Sequence, residues 1–146
     1  MEMQIKLNRL NDAIHFEAVN EKGNRVEMDG AASIGGQGKG MSPMELLLAA
    51  VGACGAFDTV DILKKQRQDL QDIRLSVTGD RADEGTPKPF RGIHIHFDLF
   101  GTVDAAKAER AVQLAVEKYC SVAASFDPKI SITHSFKVLQ NQEAQA

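Results

Sequence analysis

SPMELLLAAVGACGAFDTVDILKK, residues 42–65, has the length and the start of one long helix, yet from Leu46 to Phe57 every residue is apolar or glycine, with a single thiol, Cys54, in the middle. A helix without a wet face has to be covered on every side. The run is shorter than the roughly 18 to 20 residues that span a bilayer, so a buried core helix is expected and no membrane is assigned as a partner. Its start is well marked. Ser42 can accept from the amide of Glu45, Pro43 occupies the first helical position, where a missing N–H costs nothing, and Glu45 can reach back to the Ser42 amide. The helix is expected to run to about Gln66, with Asp58, Asp61, Lys64 and Lys65 at the end that meets water.

What covers such a helix depends on the flanking elements. Gln4 to Leu10, Ala13 to Val19 and Arg25 to Met28 read as short strands, with NEKGN as a turn, and predict an antiparallel meander. Ile73 to Thr78 reads as a strand. In Phe90 to Phe100, Ile93, Ile95, Phe97 and Leu99 alternate with His94, His96 and Asp98, giving one face to the core and one to water. A second helix from an Asp104 cap to about Tyr119, a break at Cys120, a short turn over 121–126 and a last alternating strand from Ile130 to Val138 complete the chain. The tail after Gln140 is polar and is expected to fray. The order predicts an α+β fold with antiparallel pairing, in one domain over residues 1–146. A small sheet covers one side of the apolar helix, and the other sides call for another helix and a second copy of the chain. A homodimer is the expectation, with Gly52 and Gly55 letting another backbone come close.

A formal charge of −3, with lysines and arginines scattered among acidic residues, gives no basic patch for a phosphate backbone, so nucleic acid is not assigned as a partner. The start, MEMQIKLNRL, has the wrong pattern for a secretory signal, and a cytoplasmic protein is expected. GGQGKG, residues 35–40, fails the phosphate-loop pattern because Ser33 stands at its first glycine and Gly40 follows Lys39, and it reads as a glycine-rich approach to the helix. His94 and His96 at period two could offer two imidazoles to one metal, but a third ligand must come from elsewhere. A solvated sheet face is the expectation and no metal is assigned. His134, on the apolar side of its strand, reads as a hydrogen-bonded core histidine. Cys54 and Cys120 form neither a CxxC pair nor a zinc-ligand set. They read either as two free thiols acting as small hydrophobes or as a reactive pair assembled by the fold.

Three segments taken together are specific. GGQGKGMSPMELLLAAVGAC resembles the signature of the OsmC/Ohr family, in which the first redox cysteine follows the helix-start proline by eleven positions, as Cys54 follows Pro43. FRGIHIHFDLFG and EKYCSVAASF resemble the family's following strand and the segment carrying its second cysteine. The resemblance runs from about residue 5 to about residue 138. It implies intertwined homodimers of α+β subunits, with two long central helices between sheets, and for the better-known members a thiol-dependent reduction of small hydrophobic organic hydroperoxides in the oxidative stress response. By this resemblance Cys54 is the peroxidatic cysteine and Cys120 the resolving one, with no bound cofactor and with a dithiol, such as a lipoyl group, as reductant. A non-catalytic member that binds a small molecule or partner in the same cleft is the alternative. The sequence departs from the pattern at SPME, where the peroxidase branches have a glutamate directly after the proline. Ten helical steps place Met44 about 80° from Cys54 around the axis, and nine place Glu45 about 180° away. Glu45 is therefore read as a cap. Arg25, Arg81 and Arg91 are the cations available to a family-type activating role.

Overall fold

The computed structural model describes residues 1–140, and the polar tail expected to fray lies outside the described residues. The chain divides into two compact units, Met1–Leu47 and residues 48–146.

In the first unit, β1 (Ile5–Arg9), β2 (Phe16–Asn20) and β3 (Arg25–Met28) form an antiparallel sheet in chain order, as the turn signals predict. The Asn20 side-chain oxygen accepts from the amides of Lys22 and Asn24 and so fixes the β2–β3 turn. Leu7, Ala18 and Val26 stand side by side in the register, on the same face as Ile5. Ile5 and Leu7 are 52% and 57% exposed, so this sheet presents an apolar face.

Helix α1, Pro43–Lys65, starts with the reciprocal pair that the sequence predicts: the Ser42 amide donates to Glu45 Oε2 at 2.7 Å and the Glu45 amide donates to Ser42 Oγ at 3.2 Å. It is long and apolar enough to cross a membrane, with a mean hydropathy of 1.8 over 18 residues, a test that core helices of soluble proteins also meet. Of that window 28% is buried, and Leu47, Phe57 and Val60 are exposed at 40%, 75% and 40%.

The second unit holds β4 (Asp69–Arg81), β5 (Phe90–Thr102), α2 (Ala105–Leu114), a π-helical turn over Ala115–Tyr119, α3 (Ser121–Ala124) and β6 (Ser131–Leu139). Its sheet has the order β4-β5-β6, with β4 antiparallel and β6 parallel to β5. The parallel pair departs from the expected antiparallel pattern. The α2 crossover returns the chain to the end from which β5 started, and a parallel neighbour needs a connection of about this length. Asp104 caps α2 by accepting from the Lys107 amide at 3.0 Å.

The core lies between this sheet and the helices. Ile93, Ile95, Phe97 and Leu99 are buried, as are Val51, Thr59 and Leu63 of α1 and Ala108, Ala111 and Val112 of α2. Gly52 and Gly55 face inward too. A methyl group on Gly52 would lie 2.7 Å from Val77 Cγ2, and one on Gly55 would lie 3.3 Å from Phe97 Cζ. Their missing side chains therefore seat α1 on its own sheet, rather than on a second backbone as the sequence suggested.

Candidate functional site

Cys54 comes from the middle of α1 and Cys120 from the residue between the π-helical turn and α3. Gly55 of α1 lies over Phe97 of β5 and near Val116 of the π-helical turn, which brings the segment ahead of Cys120 to the middle of α1. The two thiols, 66 positions apart in sequence, are brought close enough for the Cys54 side chain to hydrogen-bond and act electrostatically on Cys120. Both are free, with Cys54 half-buried and Cys120 buried.

Their surroundings set their chemistry apart. Cys120 is the N-terminal cap of α3, and its sulfur accepts from the Ala123 amide at 3.3 Å. Burial pushes the Cys120 thiol up from 9.0 to about 11, against the lowering effect of the Ala123 and Val122 amides and with further raising by Cys54. Cys120 therefore holds its proton at neutral pH. Cys54 is the thiol that solvent and small solutes reach.

Of the arginines suggested by sequence, Arg81 donates from Nε to the Lys88 carbonyl at 3.0 Å, and Arg91 pairs with Asp80 at 3.1 Å and Asp83 at 3.6 Å. Both serve the β4–β5 connection. Arg25 pairs with Glu17 at 2.6 Å across the first sheet. Glu45 is held at the helix start by the Ser42 amide, as a cap.

The glycine-rich segment is organised by a residue that the sequence reading did not single out. The buried Asp29 carboxylate accepts from the amides of Gly30, Gln37 and Lys39, at 2.7, 3.3 and 3.1 Å. Burial raises its pKa, but the three amides and His15 outweigh burial and leave the group below its ordinary value. Amides that a phosphate would need are thus occupied by the chain's own carboxylate. Gly36 closes over this turn so tightly that a methyl group would fall on the Gly30 carbonyl oxygen. The signal available in sequence was an Asp-Gly pair just ahead of a glycine-rich run.

His134 Nε2 lies 3.3 Å from Glu117 Oε1, hydrogen-bonded as expected but half-buried at the edge rather than in the core. His94 and His96 lie on the outward face of β5, half-exposed and bonded to Thr133, Ser135 and Asp98. Among the described residues no group of three histidines, cysteines or carboxylates is placed to hold a metal ion.

A two-sheet α+β chain with one long apolar helix is the fold of solved OsmC-like proteins. The chain belongs to that family: the model described as OsmC-like protein matches residues 36–135. The protein YhfA of Escherichia coli K12 is 41% identical over 130 residues, which cover 88% of this chain and 92% of that protein. A hypothetical protein from Aquifex aeolicus VF5 is 33% identical in its crystal structure, with a TM-score of 0.82 over 97% of this chain and 98% of that one. An organic hydroperoxide resistance protein OsmC from Legionella pneumophila shares the fold at 16% identity, with a TM-score of 0.73 over 94% of this chain and 98% of that one.

Proposed function

We propose that this chain is a cytoplasmic thiol-dependent redox protein that reduces organic hydroperoxides, with Cys54 as the attacking and Cys120 as the resolving residue. The observation that carries the proposal is the placement of a half-buried thiol against a buried, proton-holding one in an apolar setting. The Cys54 thiolate attacks the outer peroxide oxygen, the O–O bond breaks, and the alkoxide leaves as an alcohol after taking up a proton. The resulting sulfenic acid is attacked by Cys120. An S–S bond forms, and the Cys120 proton leaves with the hydroxyl as water. The Ala123 amide steadies the charge that develops on the Cys120 sulfur as it gives up that proton. An external dithiol, such as a lipoyl group, then reduces the disulfide by exchange. The fold shared with a protein described as an organic hydroperoxide resistance protein supports the same reading.

The working unit is a homodimer. Phe57 is 75% and Val60 40% exposed on α1, and a second copy burying such side chains removes the cost of leaving them in water. A Cys54→Ser variant is expected to lose dithiol-dependent turnover of cumene hydroperoxide; turnover equal to the parent would overturn the proposal.

A second reading, a ligand-binding protein whose thiols stay reduced, draws on one observation. A cleft of about 620 Å³ opens between Asp58, Asp61, Ile62 and Lys65 of α1 and Leu114 and Tyr119, next in sequence to Cys120. Free-thiol counting after cumene hydroperoxide addition separates the two readings. Loss of both thiols with an intramolecular disulfide supports the redox protein, and unchanged thiols support the binding protein.

A further inference from the structure

On the side of β5 away from the thiols, the parallel register sets His94 beside Thr133 and His96 beside Ser135. His94 Nε2 lies 2.8 Å and His96 Nδ1 2.7 Å from the same atom, Ser135 Oγ. The remaining nitrogens are both tethered, His94 Nδ1 to Thr133 Oγ1 at 2.7 Å and His96 Nε2 to Asp98 Oδ1 at 3.1 Å. The two imidazoles thus aim at one point, and an oxygen holds each from behind.

We propose that His94 and His96, with Ser135 between them, form an exchangeable site for a divalent transition metal such as Ni²⁺, Cu²⁺ or Zn²⁺. Proton bookkeeping favours a cation at the point of convergence. Asp98 is an acceptor, so neutral His96 carries its proton on Nε2 and turns a lone pair toward Ser135. Thr133 can accept or donate, so His94 can carry its proton on Nδ1 and turn its own lone pair inward. A serine hydroxyl has one proton and can satisfy one of these lone pairs; a metal ion satisfies both. Metal-bound histidines commonly have this support, with the far N–H donated to a carboxylate or other oxygen. Replacing the hydroxyl by a metal needs each ring to close in by about 0.7 Å, from the present hydrogen-bond distances to the 2.0 to 2.1 Å of a metal–imidazole bond. The step moves no net proton, because His94 exchanges one neutral tautomer for the other. With two nitrogens and water as ligands, the site needs no third histidine, cysteine or carboxylate. It favours the metals that bind imidazole best in the first-row series.

The test is calorimetric titration of tag-free, reduced, full-length protein with Ni²⁺ at neutral pH, in the parent and in a Cys54→Ser/Cys120→Ser variant that removes thiol ligands. One equivalent is expected to bind in both, with affinity lowered about tenfold or more in His94→Gln and in His96→Gln, and retained in Ser135→Ala. Absence of binding at millimolar metal, equal affinity in the histidine variants, or loss in the thiol-free variant would each overturn the proposal. Should a histidine variant fail to fold, imidazole ¹⁵N spectra of the parent with Zn²⁺ decide. His94 Nε2 and His96 Nδ1 are expected to shift, and shifts confined to His15 and His134 would overturn the site.

Discussion

Cys54 and Cys120 lie near enough to influence each other, yet their surroundings give them different chemistry. Burial and the neighbouring thiol hold Cys120 protonated until about pH 11, so at about pH 8 iodoacetamide is expected to label Cys54 and spare Cys120, as peptide mass spectrometry would show. Removing Cys54 takes away two of the influences that raise Cys120. In Cys54→Ala the Cys120 titration, followed by thiolate absorbance, is expected to move down while staying above 9.0, because burial is the largest cause. The linkage sign follows from a proton that the folded state keeps and the unfolded state releases. Stability is full below 9.0 and falls as pH rises from there to about 11. Asp29 runs the other way. Its folded pKa is lowered, so its contribution is present above the ordinary 3.8 and is lost as pH falls through and below that value. Asp29→Asn is expected to flatten that part of the acid unfolding curve and to speed amide exchange at Gln37 and Lys39.

The elements explain why these residues meet. Helix α1 lies close to its sheet because Gly52 and Gly55 carry no side chains. Gly52→Ala gains about 1 kcal/mol of helix propensity but drives a methyl group into Val77, and overpacking of this kind costs about 1 to 3 kcal/mol. A lower melting temperature is expected, relieved in a Val77→Ala background, with a smaller loss in Gly55→Ala, where the neighbour is the edge of Phe97. Much of this layer was legible in sequence. The Ser42–Glu45 box, the Asp104 cap, the alternation in β5 and the break at Cys120 are local signals, and each stands where it was expected. The parallel placement of β6 was not legible, because alternation in a strand gives its two faces and leaves its direction open. Nor was the role of Gly52 and Gly55, since a glycine in sequence does not say which surface comes close to it. The meeting of Cys54 with Cys120, and of Ser135 with two imidazoles, depends on long-range register, and only the family resemblance anticipated the first.

For the molecule as a whole, the apolar side chains left in water point to self-association. A sedimentation experiment is expected to give a dimer for the parent, and Phe57→Glu or Val60→Glu is expected to shift it toward monomer by burying a charge in an apolar interface. A monomeric parent at micromolar concentration would remove the dimer from the proposed function. Finally, Cys120 does more than hold a proton, because its sulfur is the acceptor that holds the first turn of α3. A thiolate grips the Ala123 amide more firmly than a thiol does, whereas a sulfur engaged in a disulfide is a poor acceptor. In the proposed cycle the oxidation state of one atom is thereby transcribed into the order of a short backbone segment. Hydrogen exchange at Ala123 is accordingly expected to quicken when that proposed disulfide forms, which makes one backbone amide a gauge of the proposed cycle.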